Sequence, residues 1–124
     1  MTHSPPIILL VEDDALLRQA FRLLLEDSGY EVHEAGSAAA ALEAAAATTP
    51  SAVVLDVGLP DRPGLDVARE MRADRRTQDV PIIALTGHVG REEQRACLEA
   101  GCTEYHSKPL APRQLLERLR ALVS

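Results

Sequence analysis

The chain has 124 residues, 46% of them apolar, and a net charge of −6; that is enough for one domain with a single core and too acidic for a nucleic-acid surface built on clustered Lys and Arg. No stretch approaches the length of a membrane span, and no charged-then-apolar leader opens the chain. With one Phe, two Tyr and no Trp, Leu, Val, Ile and Ala must fill the interior, and Cys97 and Cys102 read as reduced, small core residues of a cytoplasmic protein rather than as a disulfide or metal pair.

Residues 1–6 form a short polar tail that Pro5-Pro6 keeps extended. The wholly apolar run Ile7 to Val11 is the first predicted strand, and it ends on Glu12, Asp13 and Asp14. Asp14 is placed to cap the following helix, whose buried face is expected from Leu17, Ala20, Phe21 and Leu24; Gly29 stops it. Capping accounts for one acid and leaves Glu12 and Asp13 without a structural task. Tyr30 to Ala35 alternates loosely and reads as a half-exposed edge strand. Ser37 caps an alanine-rich helix that runs to Thr48-Thr49-Pro50, with Leu42 on its inner side.

Ala52 to Leu55 is the third strand, and Asp56 stands at its carboxyl end, where open α/β sheets place their ligands. The segment Val57 to Gly64 is rich in Gly and Pro and must be a loop. Leu65, Ala68 and Met71 then repeat at helical spacing, and Asp74-Arg75-Arg76 leads out as a solvated turn. Pro81 to Leu85 is the next apolar strand, followed by Thr86, Gly87 and His88. The helix from about Arg91 to Ala100 has little apolar content and is expected to be the least firmly packed; Gly101 closes it. Thr103 to Ser107 is a short polar strand with Tyr105, followed by Lys108-Pro109 and a helix with Leu115, Leu119 and Leu122 on one face. His3, His33 and His106 lack metal-ligand spacing and read as surface or edge-strand side chains.

Strand followed by helix, five times over with short connections, predicts an α/β fold with a parallel sheet and right-handed crossovers. The apolar strands 1, 3 and 4 belong in the middle and the polar strands 2 and 5 at the edges. The doubly wound, flavodoxin-like (βα)5 order 2-1-3-4-5 meets that requirement in a single domain. It also brings Glu12, Asp13, Asp56, Thr86 and Lys108 into one cleft. Clustered carboxylates raise one another's pKa values, a cost that a divalent cation such as Mg²⁺ relieves. Lys108 is a point charge suited to a phosphoryl oxygen, Thr86 offers a hydroxyl to another, and a carboxylate can itself be the nucleophile. The site reads as an Asp that accepts a phosphoryl group with Mg²⁺.

The ordered set Val11-Glu12-Asp13-Asp14, Leu55-Asp56 with Leu59-Pro60 and Gly64, Leu85-Thr86-Gly87 and Tyr105-His106-Ser107-Lys108-Pro109 resembles the response-regulator receiver domains of two-component signalling over almost the whole length. The resemblance implies that Asp56 is the phosphoryl acceptor, served by a phosphohistidine on a sensor histidine kinase or a phosphotransfer protein. Asp13, Asp56 and the backbone carbonyl of Gly58 would ligate Mg²⁺, with Glu12 acting through water. Thr86 matches the switch hydroxyl, Lys108 the phosphate-binding lysine and Tyr105 the switch aromatic, which would signal to a protein partner on the helix 4, strand 5, helix 5 face. Lys108-Pro109 would be a cis bond. The flanks Gly58 and His88 would influence how fast the phosphoryl group is lost; such a domain catalyses its own phosphotransfer and is not otherwise an enzyme. The last helix partly resembles receivers that dimerise through that same face, whereas Thr103 stands where those receivers have an acid, which leaves a phosphorylation-dependent homodimer open.

Two rival functions fit less well. A phosphatase of the haloacid dehalogenase type wants a second Asp two residues after the first, where Gly58 stands. A flavodoxin-like cofactor binder would set a flavin phosphate against an acidic cleft with almost no aromatic residues to stack on the ring. The chain stops directly after its last helix, which suits a stand-alone regulator and a piece of a longer protein equally.

Overall fold

Ile7-Ile8-Leu9-Leu10-Val11, Ala52-Val53-Val54-Leu55-Asp56 and Ile82-Ile83-Ala84-Leu85-Thr86 are runs with almost no polar interruption, and each is covered on both faces in the computed structural model, which describes residues 4–88 and 90–123. They are strands β1 (Ile7–Val11), β3 (Ala52–Asp56) and β4 (Ile82–Thr86). β2 (Glu31–Ala35) and β5 (Glu104–Ser107) are shorter of apolar side chains and lie at the two edges. All four pairings are parallel, in the order β2-β1-β3-β4-β5. The expected fold class and strand order are therefore those of the structure. Of the expected tail, residues 1–3 and with them His3 lie outside the described residues.

Alternation along the central strands divides the interior. Ile8, Leu10, Val54, Ile83 and Leu85 face α1 (Ala15–Asp27) and α5 (Pro112–Leu122), where they meet Phe21, Leu25, Leu115, Leu116 and Leu119. Leu9, Val11, Val53, Leu55, Ile82 and Ala84 face α2 (Ala38–Ala47), α3 (Leu65–Ala73) and α4 (Arg91–Glu99). Burying a side chain such as Phe21 or Leu25 stabilises the fold by about 1.5–3 kcal/mol, so two well-filled layers hold the sheet. The alanines of α2 act as packing residues: Ala38, Ala41 and Ala45 are buried and allow the helix to lie close.

The helix ends follow their chemistry. Asp14 accepts from the N–H groups of Leu16 and Leu17 at 3.0 and 3.1 Å, capping α1. Ser37 Oγ accepts from Ala40 N–H and caps α2. Gly29, at φ 98°, takes the left-handed conformation that ends α1. The bond between Lys108 and Pro109 is cis, as the resemblance implies.

Some expectations are corrected. Ala20 is exposed, and Leu25 takes the buried place assigned to it. The turn after α3 is less bare than expected, because Thr77 is buried and donates to the carbonyl of Met71 at 2.6 Å. Pro81 precedes β4, and Thr103 precedes β5. α4 buries one residue, Cys97, against four in α3, so it is the more lightly anchored of the two. Cys97 and Cys102 are free, buried thiols. No helix among the described residues is long and apolar enough to cross a membrane.

Candidate functional site

Parallel pairing delivers the predicted residues to one edge. Val11 is in register with Leu55, Asp56 with Leu85 and Thr86 with Ser107, so Glu12, Asp56, Thr86 and Lys108 leave neighbouring strands at nearly the same level. A cleft of about 690 Å³ opens there, lined by Glu12, Asp13, Asp56, Gly58, Thr86 and Lys108 among others. His88 also lines it. Tyr105 lies outside it, on β5.

The centre of the cleft is a charged triangle. Lys108 Nζ lies 3.0 Å from Glu12 Oε1 and 3.1 Å from Asp56 Oδ2. Glu12 and Asp56 are almost wholly buried, whereas Asp13 is exposed at the mouth. Burial pushes the Glu12 carboxyl up to about 7, with the neighbouring Asp56 adding to the effect and Lys108 opposing it. Burial also works to raise Asp56, but hydrogen bonds from Glu12, the Gly58 N–H and Lys108 outweigh it and hold the carboxyl below its ordinary value. The two shifts agree on one distribution: a proton, when present, sits on Glu12, and Asp56 stays ionised. Desolvation works to lower Lys108, yet its two carboxylate partners keep its pKa above the ordinary value.

Glu12, Asp13 and Asp56 each offer an oxygen within 4.8 Å of the others, so one small cation could meet all three. The donors are all oxygen, which suits a hard divalent ion. The backbone is set around them. Gly58 N–H donates to Asp56 Oδ1 at 2.9 Å. Gly64 comes so close that a Cβ there would lie 2.2 Å from the Asp56 carbonyl oxygen. Arg18 Nη1 donates to the Glu12 carbonyl at 2.8 Å and steadies the acidic pair from α1.

Beyond Asp56 lies a second polar chain. Thr86 Oγ1 accepts from His88 N–H at 3.1 Å, and the Tyr105 hydroxyl donates to the His88 carbonyl at 2.8 Å. One short loop thus touches both the buried hydroxyl and the strand-5 aromatic. Two more residues that support the site have no signal in the sequence pattern: Arg18, which bonds the Glu12 carbonyl and the Glu34 carboxylate, and Asp61, whose partners are backbone N–H groups of a distant helix. It also missed Glu104, which Arg118 grips with two nitrogens, one at 2.8 Å, while His106 Nε2 lies 2.9 Å away.

A parallel five-stranded sheet thus carries three carboxylates and a lysine in one cleft at its carboxyl edge. The chain belongs to the response regulator receiver domain family, whose model matches residues 8–120. It is similar to the response regulator MprA of Mycolicibacterium vanbaalenii, at 41% identity over 119 residues, covering 96% of this chain and 51% of that protein. The chain therefore spans about half the length of the curated relatives it matches. Among solved structures it resembles the chemotaxis protein CheY4 of Vibrio cholerae, with a TM-score of 0.91, 28% identity, and coverage of 96% of this chain and 99% of that one. It also resembles the receiver domain of the sensor histidine kinase PA1611 of Pseudomonas aeruginosa, which has a magnesium ion coordinated in its active-site cleft; there the TM-score is 0.86, with 31% identity and coverage of 95% and 97%.

Proposed function

We propose that the whole chain, residues 1–124, is one phosphoacceptor receiver domain, with residues 1–6 as its tail, and that Asp56 takes a phosphoryl group from a phosphohistidine on a sensor histidine kinase or a phosphotransfer protein. The observation that carries this reading is Asp56 itself: a buried carboxylate held ionised, 3.1 Å from Lys108 Nζ, in a cluster of three acids. Its carboxylate attacks phosphorus, the bond to the donor's imidazole nitrogen breaks with its electron pair left on that nitrogen, and an acyl phosphate forms. Lys108 needs only to exchange a carboxylate partner for a phosphoryl oxygen.

Mg²⁺ fits the oxygen donors. Asp13, Asp56 and the Gly58 carbonyl would hold it directly and Glu12 through water. Bound there, it supplies positive charge against both the carboxylates and the incoming phosphoryl oxygens. The new phosphate would draw the Thr86 hydroxyl toward it as a donor, loosening its present contact with His88 N–H. The loop would then release Tyr105, and lightly anchored α4 would shift. This reading places the output on the α4, β5, α5 face, taken by a protein partner that is either a downstream target or a second copy of the phosphorylated chain; nucleic acid is not contacted directly. The group is lost by slow hydrolysis within the domain, at a rate tuned by the flanks Gly58 and His88. Phosphohistidine donors of this kind place the domain in the cytoplasm.

The test is to incubate wild type and Asp56→Asn with acetyl phosphate and Mg²⁺ and to weigh both intact. A one-phosphoryl increase in wild type alone is expected. An equal increase in both would remove Asp56 from the role.

A further inference from the structure

The loop from Val57 to Gly64 is tied at three places. Gly58 N–H donates to Asp56 Oδ1 at its start, and Gly64 N–H donates to the Val57 carbonyl at 2.8 Å, closing its base. Its middle is tied to a different element. Asp61 Oδ1 accepts from Ala38 N–H at 2.9 Å and Asp61 Oδ2 from Ala39 N–H at 3.0 Å, the first two N–H groups of α2.

This pair of hydrogen bonds satisfies the two N–H groups of α2 that its own cap residue leaves unpaired. Ser37 already caps this helix from the adjoining position, taking Ala40 N–H at 3.1 Å. Asp61 reaches the same helix end from 23 residues further along the chain. Its charge is well placed there, because a helix amino end favours a carboxylate. The geometry is that of a clamp: α2 is packed on the sheet through Ala38, Ala41 and Ala45, and the loop hangs from it at Asp61.

We propose that Asp61 is a positioning residue for the phosphoacceptor site, holding the 57–64 loop on α2 so that the Gly58 backbone stays beside Asp56. The inference rests on the phosphoacceptor reading in one respect, the use of the Gly58 carbonyl toward Mg²⁺. Only Leu59 and Pro60 lie between Gly58 and Asp61, and the fixed backbone of Pro60 transmits the anchor to the glycine. With the clamp released, the loop keeps both ends but loses its middle. Gly58 then samples positions in which its N–H no longer meets Asp56 Oδ1.

The experiment compares Asp61→Ala and Asp61→Asn with Ser37→Ala, which removes a cap from the same helix end without touching the loop. Two quantities are read: amide hydrogen exchange at Gly58 and Gly64 in Mg²⁺-free protein, and the Mg²⁺ dissociation constant by calorimetry. Asp61→Ala should speed exchange at both glycines and weaken Mg²⁺ by about tenfold, the scale of losing a support behind a metal ligand. Asp61→Asn, which keeps one acceptor oxygen, should fall between it and wild type. Ser37→Ala should lower the thermal midpoint while leaving glycine exchange and Mg²⁺ affinity within about twofold of wild type. If Ser37→Ala and Asp61→Ala alter both quantities equally, Asp61 is a helix cap and the proposal fails. If wild type binds no Mg²⁺, the phosphoacceptor reading fails by itself, and glycine exchange alone decides whether the clamp exists.

Discussion

The Tyr105 hydroxyl donates to the backbone carbonyl of His88 at 2.8 Å, across 17 residues of chain. This bond joins strand β5 to the loop after β4, and the same loop carries the N–H that Thr86 accepts. Removing it by Tyr105→Phe costs a neutral hydrogen bond of about 1 kcal/mol, or roughly a fivefold change in a two-state equilibrium. In Tyr105→Phe without any phosphoryl mimic, the amide NMR shifts of α4 and β5 should move part of the way toward their beryllofluoride positions. Unchanged shifts would mean that the bond restrains nothing.

Thr86 is the nearer link. Beryllofluoride, a phosphoryl mimic, should move the amides of α4 and β5 in wild type and much less in Thr86→Ala. A full switch from mostly inactive to mostly active requires a differential of about 5.5 kcal/mol, so a partial response measures how much of the coupling passes through this hydroxyl. An equal response in the two proteins would rule out Thr86 as the relay.

Lys108 neutralises two buried carboxylates. Lys108→Met leaves them facing each other, at a cost of about 2–3 kcal/mol in the metal-free protein, below the usual figure for breaking a buried pair because Lys108 is partly exposed. The loss should be smaller at pH 6 than at pH 8, because Glu12, with its carboxyl raised to about 7, takes up a proton below that value. Urea unfolding at the two pH values, with and without Mg²⁺, reads both effects. Added Mg²⁺ should restore more stability to the variant than to wild type. Equal costs at both pH values would contradict the protonation assigned to Glu12.

Arg118 holds the Glu104 carboxyl down at about 2, with His106 helping and burial opposing. A depressed carboxylate stabilises the fold above its unfolded value of 4.5, and the benefit disappears as pH falls toward about 2. Arg118 is 42% exposed along its side chain, so solvent screening keeps the contribution of the pair small. Glu104→Gln should therefore be slightly less stable than wild type at pH 7, with the gap closing as the pH is lowered from the unfolded value toward about 2. A gap that stays constant with pH would show that the ion pair contributes nothing.

Gly64 admits no side chain. A Cβ there would lie 2.2 Å from the Asp56 carbonyl oxygen and 2.8 Å from Val57 Cα, both backbone atoms that cannot swing away. Gly64→Ala should cost about 1–3 kcal/mol and slow phosphorylation by acetyl phosphate, because the displaced atoms belong to the acceptor itself. Gly58→Ala is the contrast: a Cβ there meets only Asp56 Oδ1, at an ordinary 3.8 Å. If the two variants match in denaturation midpoint and phosphorylation rate, the close approach at Gly64 has no consequence.

How far the sequence speaks depends on the kind of contact. β1, β3 and β4 are legible because a strand covered on both faces leaves a continuous apolar run, and their polar neighbours then identify the edges. That order alone predicts that Glu12, Asp56, Thr86 and Lys108 meet. The inner face of α1 is harder to read, because Leu16, Leu17, Ala20, Leu23, Leu24 and Leu25 put apolar residues all round it; Leu16 is in fact 79% exposed, and Ala20 lies on the outside with it. Asp61 is illegible for another reason. Its partners are main-chain groups of Ala38 and Ala39, and a main-chain group leaves no mark on residue type.

The bond between Glu12 and Lys108 spans 96 positions. A chain growing on the ribosome lays down both acids of the first turn and the acceptor at Asp56 long before the lysine emerges. Until then the acids face one another without their cation, and β4 lacks its outer neighbour. Domains tend to fold as units during synthesis, and here a residue of the fifth strand-helix unit is the one that balances the charges of the first and third. A chain stalled before residue 108 would thus keep Glu12 and Asp56 without the ammonium that holds them together.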